Sequence, residues 1–420
     1  MAPLRAATAI AVGLGLVAAV AGGTAGAGAR ATHSVTDAQS RQQSTGLVSR
    51  ATGGGIPDGP SVNPVLSNDR RFERAIAFES DASNLVAGDK NGQRDVFVVL
   101  RGNHPNNKGT SWKPGKTIRI SRTKSGAASN GPSFLPSIDG SFDSAPTCVG
   151  FLSAASNIVP GDSNGEVDAF VKGIKSGAPR RLAPSGARPK GPATAVAVSG
   201  NCKEIAFVIG GRLFVSKGGG RGKRVAAAKS PIADPSFSTG RNNDLVYGGR
   251  GGVYLSKNGT GSPKLVGAGG RNPAYNDVKR HTVAYEKRKG AHMQIAYHDI
   301  GKRERIISSF HGQKGDGDSR NPVIGNSGYY VTFETDASNL QTNASGQRSD
   351  RNGQPDIYLY TDTRKITLVQ SVRDKGSPVA GGGKNPGMSF YANYILFDSP
   401  APLGSRSGGR QIFMRYLGGI

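Results

Sequence analysis

The sequence feature that most limits the possible folds is a repeated turn and strand. Residues 83–98 read SNLVAGDKNGQRDVFV, a polar turn that leads directly into an apolar strand. The same arrangement returns at residues 156–171 and, with a longer turn, at residues 338–359. A unit that returns with the same turn and the same strand marks a repeat architecture, in which stacked units share a core. The number of copies therefore decides the fold.

Two short apolar strands recur in seven copies along the chain. The first ends in an aromatic residue each time, at residues 75–78, 148–151, 204–207, 244–247, 282–285, 330–333 and 394–397. The second begins at residues 95, 168, 212, 252, 294, 356 and 411. Six copies are preceded by an X-Pro pair, at residues 63–64, 135–136, 234–235, 272–273, 321–322 and 385–386, and residues 195–196 take its place in the third copy. Short apolar runs bounded by Gly, Asn and Asp are typical of strands.

A fourth strand completes most copies, and its distribution suggests a closed ring. It follows in six copies, at residues 117–121, 180–183, 223–226, 264–267, 305–308 and 366–369. The seventh copy ends at Ile420 without one, whereas residues 45–50 form a fourth strand with no copy before it. We expect the N-terminal strand to complete the last unit, because a closed ring leaves no unpaired sheet edge. The prediction is an all-β protein, a β-propeller of seven four-stranded blades.

The repeats resemble a known group. Residues 75–98 (AIAFESDASNLVAGDKNGQRDVFV) and 149–171 (VGFLSAASNIVPGDSNGEVDAFV) resemble the repeats of the TolB-like, or WD40-like (PD40), β-propeller family of exported bacterial proteins. The resemblance covers nearly all of the chain after the leader and is strongest in copies one, two and six. It implies a binding or scaffolding module, sometimes attached to a hydrolase domain. Many relatives have six blades, so six is the alternative to seven.

The N-terminus predicts export. Residues 1–29 contain Arg5, an apolar run at residues 6–20 and small residues at 25–29, which is the layout of a secretory signal peptide. Gly13 and Gly15 interrupt the run, which is short for a membrane span, so we expect cleavage and release. The predicted order is a signal peptide at 1–29, a flexible leader at 30–44 and a propeller at 45–420. We expect a secreted or periplasmic monomer without a transmembrane segment.

The two cysteines, Cys148 and Cys202, fit the same compartment. A single structural disulfide is the expectation in an oxidising environment, and two buried free thiols are the alternative.

The repeated turn is also a candidate metal site. It has the pattern D-x-N-G-x-x-D, with Asp89, Asn91 and Asp95 in copy one, Asp162, Asn164 and Asp168 in copy two, and Asp350, Asn352 and Asp356 in copy six. Carboxylate and amide oxygens around a Gly suit Ca²⁺. The alternative is a structural turn, in which Asp and Asn satisfy the turn's own amides and Gly takes the positive φ angle. No other cofactor is expected.

A second candidate site lies where the innermost strands begin. Basic and amide residues precede three of the prolines, as Arg271-Asn272, Arg320-Asn321 and Lys384-Asn385. The first strand of each blade starts near the central channel, so these groups predict a polar ring that suits an anionic ligand. The alternative is that Asn before Pro only initiates a turn.

The charge of the chain bears on its partners. The formal net charge is +25, and residues 203–305 alone contain 20 Lys and Arg against 7 Asp and Glu. Such an excess attracts polyanions, although it can also serve solubility alone.

The sequence lacks a G-x-S-x-G elbow, an H-E-x-x-H motif and a P-loop. We expect a non-enzymatic module that binds a protein or an anionic cell-envelope polymer, with nucleic acid disfavoured but left open. The alternative is a hydrolase or lyase at the channel mouth, which a cluster of copy-specific His, Asp and Arg residues there would indicate.

Overall fold

A computed structural model describes most of the chain from residue 44 onward. The described residues are 44–69, 72–103, 112–141, 145–225, 229–238, 240, 242–325, 327–341, 350–362, 366–369, 371, 381–400 and 409–418. The predicted signal peptide at 1–29 and all but the last residue of the predicted leader lie outside this range. Within it, no helix has both the length and the apolarity that crossing a bilayer requires.

Seven antiparallel four-stranded sheets make up the fold, each built from strands that follow one another in the chain except where the ring closes. The prediction of an all-β propeller with seven blades is confirmed. Its innermost strands contact one another in order around the ring, from blade one to blade seven and back to blade one. One further two-stranded hairpin, which the sequence patterns did not indicate, lies between blades five and six.

The strands of the seven blades follow one another after an N-terminal strand. β1 is Ser44–Leu47; blade one has β2 Ser61–Leu66, β3 Ala75–Ser80, β4 Asp95–Arg101 and β5 Pro114–Arg119; blade two has β6 Ser133–Ile138, β7 Cys148–Ser153, β8 Asp168–Gly173 and β9 Arg180–Arg181. Blade three has β10 Ala193–Val198, β11 Glu204–Ile209, β12 Arg212–Lys217 and β13 Lys223–Arg224; blade four has β14 Ala233–Phe237, β15 Leu245–Gly249, β16 Gly252–Ser256, a 3-10 helix Lys257–Gly259 and β17 Lys264–Ala268. Blade five has β18 Gly270–Asn276, β19 Thr282–Lys289, β20 His292–Asp299 and β21 Arg305–Ile306; the hairpin has β22 Ser309–Phe310 and β23 Gln313–Lys314. Blade six has β24 Ser319–Ile324, β25 Tyr330–Thr335, β26 Asp356–Thr361 and β27 Ile366–Val369; blade seven has β28 Lys384–Met388, β29 Tyr394–Ser399 and β30 Gln411–Tyr416.

The N-terminal strand closes the ring as predicted. β1 pairs antiparallel with β30, from Ser44 opposite Tyr416 to Leu47 opposite Phe413. The strand begins one residue earlier than predicted and ends at Leu47, but the backbone N–H of Val48 still donates to Ile412 at 2.8 Å. Blade seven therefore obtains its fourth strand from the opposite end of the chain.

The second and third strands of each blade read as continuous apolar runs because both of their faces are covered. β3 is buried at all of its six residues. One of its faces, with Ala75 and Ala77, packs against Val149 and Phe151 of blade two. Within a blade, aromatic rings stack across these two strands, as Phe78 and Phe97 do with centroids 5.9 Å apart. The core thus lies between neighbouring blades.

The two ends of the ring carry different loops. We call the end with the loops between the second and third strands, and between one blade and the next, the 2–3 face; the opposite end is the 1–2 face. The D-x-N-G turns join second to third strands, and the innermost strands start at the same end. Both candidate sites from the sequence therefore lie on the 2–3 face.

The cysteines lie near the 1–2 face. The structure joins Cys148 of β7 to Cys202, which lies in the turn before β11, with the two Cα atoms 6.2 Å apart. The disulfide therefore links blade two to blade three.

Candidate functional site

The innermost strands surround a cavity of about 450 Å³ on the axis of the ring. Its wall contains the six prolines of the strand starts together with Val, Ile, Leu and Ala side chains. Among the described residues that line it there is no His, Cys, Lys or Arg, and the one carboxylate is that of Asp234. The described part of the wall therefore shows no cluster of copy-specific His, Asp and Arg residues.

Each X-Pro start contains a residue in the left-handed conformation. The φ angles lie between 46° and 53° at Asn63, Leu135, Asp234, Asn272, Asn321 and Asn385. The register of the first strand shifts at each of these positions, as it does between Arg320 and Val323. Asn and Asp tolerate this conformation better than other residues with a side chain, which explains why Asn recurs here.

The Asn residues also hold neighbouring blades together. In blade six, the Asn321 side chain donates to Glu334 of β25 at 3.3 Å. The same carboxylate accepts a hydrogen bond from the backbone N–H of Asn385, in blade seven, at 3.1 Å. We call this arrangement a blade latch: an acid on the second strand accepts from the Asn of its own blade and from the left-handed residue of the next blade.

Blade latches recur around much of the ring. The other three use Glu286 between blades five and six, Asp398 between blades seven and one, and Glu79 between blades one and two. Between blades four and five the acid is Asp234, which is the left-handed residue of blade four and not a residue of the second strand. Burial raises the pKa of Asp234, and a hydrogen bond from the backbone N–H of Asn272 opposes that rise. The register places Leu152 and Val208 at the acid's position in blades two and three, so these blades lack the acid.

The predicted ring of basic groups lies at the 2–3 face, but carboxylates stand beside it. Arg271 pairs with Glu286 at 2.9 Å, and Arg320 pairs with Asp318 and Asp336 at 2.9 and 2.8 Å. Lys384 is exposed, and its charge opposes the rise that burial imposes on the pKa of Glu334. Asn272, Asn321 and Asn385 are all engaged in blade latches. Binding of an anionic ligand at these six residues stays a prediction.

Replacing the acid of one blade latch should weaken the ring. Glu79 accepts from the Leu135 N–H at 2.6 Å and from the Asn63 side chain at 2.8 Å. We expect Glu79→Ala to lower the free energy of unfolding by roughly 2–3 kcal/mol, because both donors lose their acceptor. Urea denaturation followed by circular dichroism measures this change.

A matched control separates the latch from simple charge removal. Arg94 forms ion pairs with Glu79 at 3.2 Å and with the exposed Asp81 at 2.7 Å, but it is about one-third exposed. We expect Arg94→Gln to cost less than about 1 kcal/mol. Equal losses in the two variants would contradict the latch.

In blades one and two, an arginine lies between the carboxylates of the D-x-N-G turn. Arg119 lies 2.8 Å from Asp89 and 3.6 Å from Asp95, and opposes the rise that burial and Asp95 impose on the pKa of Asp89. Arg181 lies 2.7 Å from Asp162 and 3.4 Å from Asp168, which also pairs with Arg188. The guanidinium thus stands where a bound cation would neutralise the two acids.

The turn itself is satisfied in the way that the structural alternative describes. The side-chain oxygen of Asn91 accepts from the Gln93 N–H, and its side-chain amide donates to Asp95 at 2.9 Å. Asn164 and Asn352 repeat both hydrogen bonds in blades two and six. Burial raises the pKa of Asp356 in blade six to about 7, and the charge of Asp350 adds to that rise. Calcium binding at these turns stays a prediction.

The structure shows a basic surface on the 1–2 face of blades two to four, which the sequence predicted only in part. It consists of eight exposed basic residues, which we call the basic arc: Lys175, Arg180, Lys203, Lys217, Arg221, Lys223, Lys257 and Lys264. Residues 174–264 contain three acids. Glu204 and Asp244 are buried, and Asp234 faces the channel, so none of the three is an exposed acid on the basic arc.

The basic clusters of blade five differ, although the sequence groups them with those of blades three and four. Lys287 and Lys289 pair with Glu304 at 2.8 and 3.5 Å. Arg280 and Arg305 both pair with Asp362 of blade six. The sequence shows an excess of positive charge at residues 203–305. Only the packing of the blades shows which of these charges are neutralised by ion pairs.

Comparison with known proteins finds similar solved structures. No family model matches the sequence, and no curated protein matches it. Similar solved structures include the β-propeller domain of the Trilobed protease from Pyrococcus furiosus, at 10% identity over 84% of this chain and 93% of that chain, with a TM-score of 0.46. TolB from Acinetobacter baumannii shares 13% identity over 60% of each chain, with a TM-score of 0.37. The putative TolB from Agrobacterium tumefaciens shares 12% identity over 73% of this chain and 94% of that chain, with a TM-score of 0.38. At these values the likenesses carry no conclusion about what this chain binds.

Proposed function

We propose that this protein is a secreted, non-enzymatic binding module whose ligand is an anionic cell-envelope polymer, and that the basic arc is its contact surface. The observation that carries the proposal is the separation of charge on blades two to four. Eight cations lie exposed on the 1–2 face, whereas Glu204 and Asp244 are buried and neutralise two of them, Lys217 and Lys257, at 3.6 and 2.6 Å. Clustered exposed cations without exposed anions create a positive potential that attracts a polyanion.

The cavity wall supports a binding role rather than a hydrolase or lyase. Catalysis of those kinds uses positioned acids, bases or nucleophiles within reach of a substrate. The described wall offers Asn amides, prolines, aliphatic side chains and the hydroxyls of Ser, Thr and Tyr275, but no His, Cys or Lys, and its carboxylate, Asp234, is engaged by the backbone of Asn272.

Binding to a polyanion should depend on the basic arc. In the test variant, Lys175, Lys203, Lys223 and Lys264 are all changed to Gln. These lysines are exposed and form no ion pair with a described residue, so the fold should tolerate the change. We expect the affinity for polyphosphate at low salt to fall roughly tenfold or more, because each contact with the chain contributes through counterion release. Fluorescence anisotropy with labelled polyphosphate measures the affinity.

The control has the same change of charge elsewhere on the ring. Lys90, Lys113, Lys116 and Lys124 are exposed lysines of blade one, and their change to Gln should leave the affinity within about twofold of the unchanged protein. Equal loss in both variants would show that net charge alone governs binding. Retention on envelope fractions that does not fall with salt would overturn the polyanion proposal, and capture of a protein from those fractions would favour a protein partner.

A further inference from the structure

The three D-x-N-G turns provide an internal comparison. In blades one and two, Arg119 and Arg181 of the outermost strand stand opposite Phe97 and Phe170 of the third strand. In blade six the corresponding pair is Tyr358 and Val369. The position that supplies the guanidinium in two blades therefore carries an aliphatic residue in the third.

The acids of blade six keep their burial without that guanidinium. Asp350 and Asp356 are 6% and 0% exposed. Asp356 accepts hydrogen bonds from Ser371 and Asn352, and Asp350 accepts one from the Asn352 N–H. Among the described residues, no Lys, Arg or His forms an ion pair with either acid. Two buried carboxylates without a positive partner are unfavourable, because each is removed from water and repels the other.

A buried hydroxyl without a partner points to the same place. The Tyr358 side chain is fully buried, and its Oη makes no hydrogen bond with any residue that the structure describes. Tyr358 lies two residues after Asp356 on β26, so the two side chains share one face of the strand. Blades one and two carry Phe97 and Phe170 at this position and therefore have no hydroxyl to satisfy. A water bound to a cation at the turn would provide the missing partner.

We propose that the turn of blade six binds a divalent cation, held by the carboxylates of Asp350 and Asp356, with a bound water that contacts Tyr358. In this role the ion replaces the arginine of blades one and two. The donors are all oxygens, which selects a hard cation. Ca²⁺ fits better than Mg²⁺, because Ca²⁺ accepts variable geometry and coordination number, whereas Mg²⁺ requires a near-ideal octahedron. The site lies on the 2–3 face and is independent of the basic arc.

An exchange of one residue between blades tests the proposal. Calorimetric titration with Ca²⁺, on the full chain freed of metal with a chelator, should give one ion per chain. Val369→Arg gives blade six the residue pairing of blade one and should abolish binding. Arg119→Val gives blade one the pairing of blade six and should add a second ion. Asp350→Asn should weaken Ca²⁺ binding by tenfold or more, and it serves as the second variant if Val369→Arg does not fold.

The outcomes separate the proposal from its alternatives. Absence of Ca²⁺ binding at millimolar concentration in the unchanged chain would overturn it. So would binding that persists at the same affinity in Val369→Arg and Asp350→Asn. Tighter binding of Mg²⁺ than Ca²⁺ would overturn the choice of ion, and a single ion in Arg119→Val would overturn the exchange between ion and guanidinium.

Discussion

Deletion of residues 45–50 should open the ring and lower the free energy of unfolding by about 5 kcal/mol or more. Three losses add together. The pairing of β1 with β30 disappears, the Val48 side chain, which is 1% exposed, leaves the core, and Ser49 no longer bonds Gln411 at 2.8 Å and Ile412. Burial of one such apolar side chain is worth about 1.5–3 kcal/mol, and each hydrogen bond about 1 kcal/mol. Urea denaturation of the two chains measures the difference.

The deletion also exposes an unpaired strand edge. β30 is buried over all six residues in the closed ring, and such an edge recruits other chains when it is uncovered. We therefore expect the shortened chain to associate, which size-exclusion chromatography detects. Addition of a peptide of residues 44–50 should restore stability, whereas removal of residues 30–43 alone should not reduce it. An unchanged urea midpoint after deletion of 45–50 would show that the strand does not close the ring.

Removal of the disulfide should have the second largest effect. Cys148 and Cys202 are 54 residues apart in sequence, and in the chain-entropy model a cross-link of this span stabilises the fold by about 4 kcal/mol. The bond lies at the junction between blades two and three, where Leu152 replaces the acid of the blade latch. The covalent link therefore joins two blades at a junction that lacks the latch acid.

Three measurements identify the contribution of the bond. We expect the double variant Cys148→Ala, Cys202→Ala to unfold at lower urea, and a reductant to shift the unchanged protein by a similar amount. The reductant should leave the double variant unaffected, which controls for other actions of the reagent. Coincident urea curves for the oxidised protein and the double variant would contradict a stabilising disulfide.

Much of the architecture could be predicted because its signals are local. An apolar strand that ends in an aromatic and a polar turn with Gly both depend on residues that are adjacent in the chain. Seven copies of them define the blades, and the missing fourth strand of the last copy indicated how the ring closes. The third copy was recognisable without its proline because its second and third strands, at residues 204–207 and from residue 212, keep the apolar pattern of the other copies.

The candidate sites could be placed but not interpreted from sequence. The Asn residues before proline were correctly assigned to one end of the channel. That they donate to Glu79, Glu286, Glu334 and Asp398 could not be foreseen, because those acids lie on the second strands and act across blade junctions. In the sequence, the three copies of D-x-N-G-x-x-D likewise look equivalent. Only the structure shows that Arg119 and Arg181 lie between the acids in two of them.

The sequence by itself determined the repeat, the ring closure and the sign of the charge, and it favoured seven blades over six, since each follows from the order or the composition of the chain. Only the tertiary structure decided which charges remain exposed and which acids have a positive partner. Ion pairing depends on distances of a few ångströms between strands, and such strands are separated by tens of residues in the chain. For that reason only the packed blades distinguish the exposed cations of the basic arc from the paired cations of blade five. They also distinguish the turn of blade six from the turns of blades one and two, which contain an arginine.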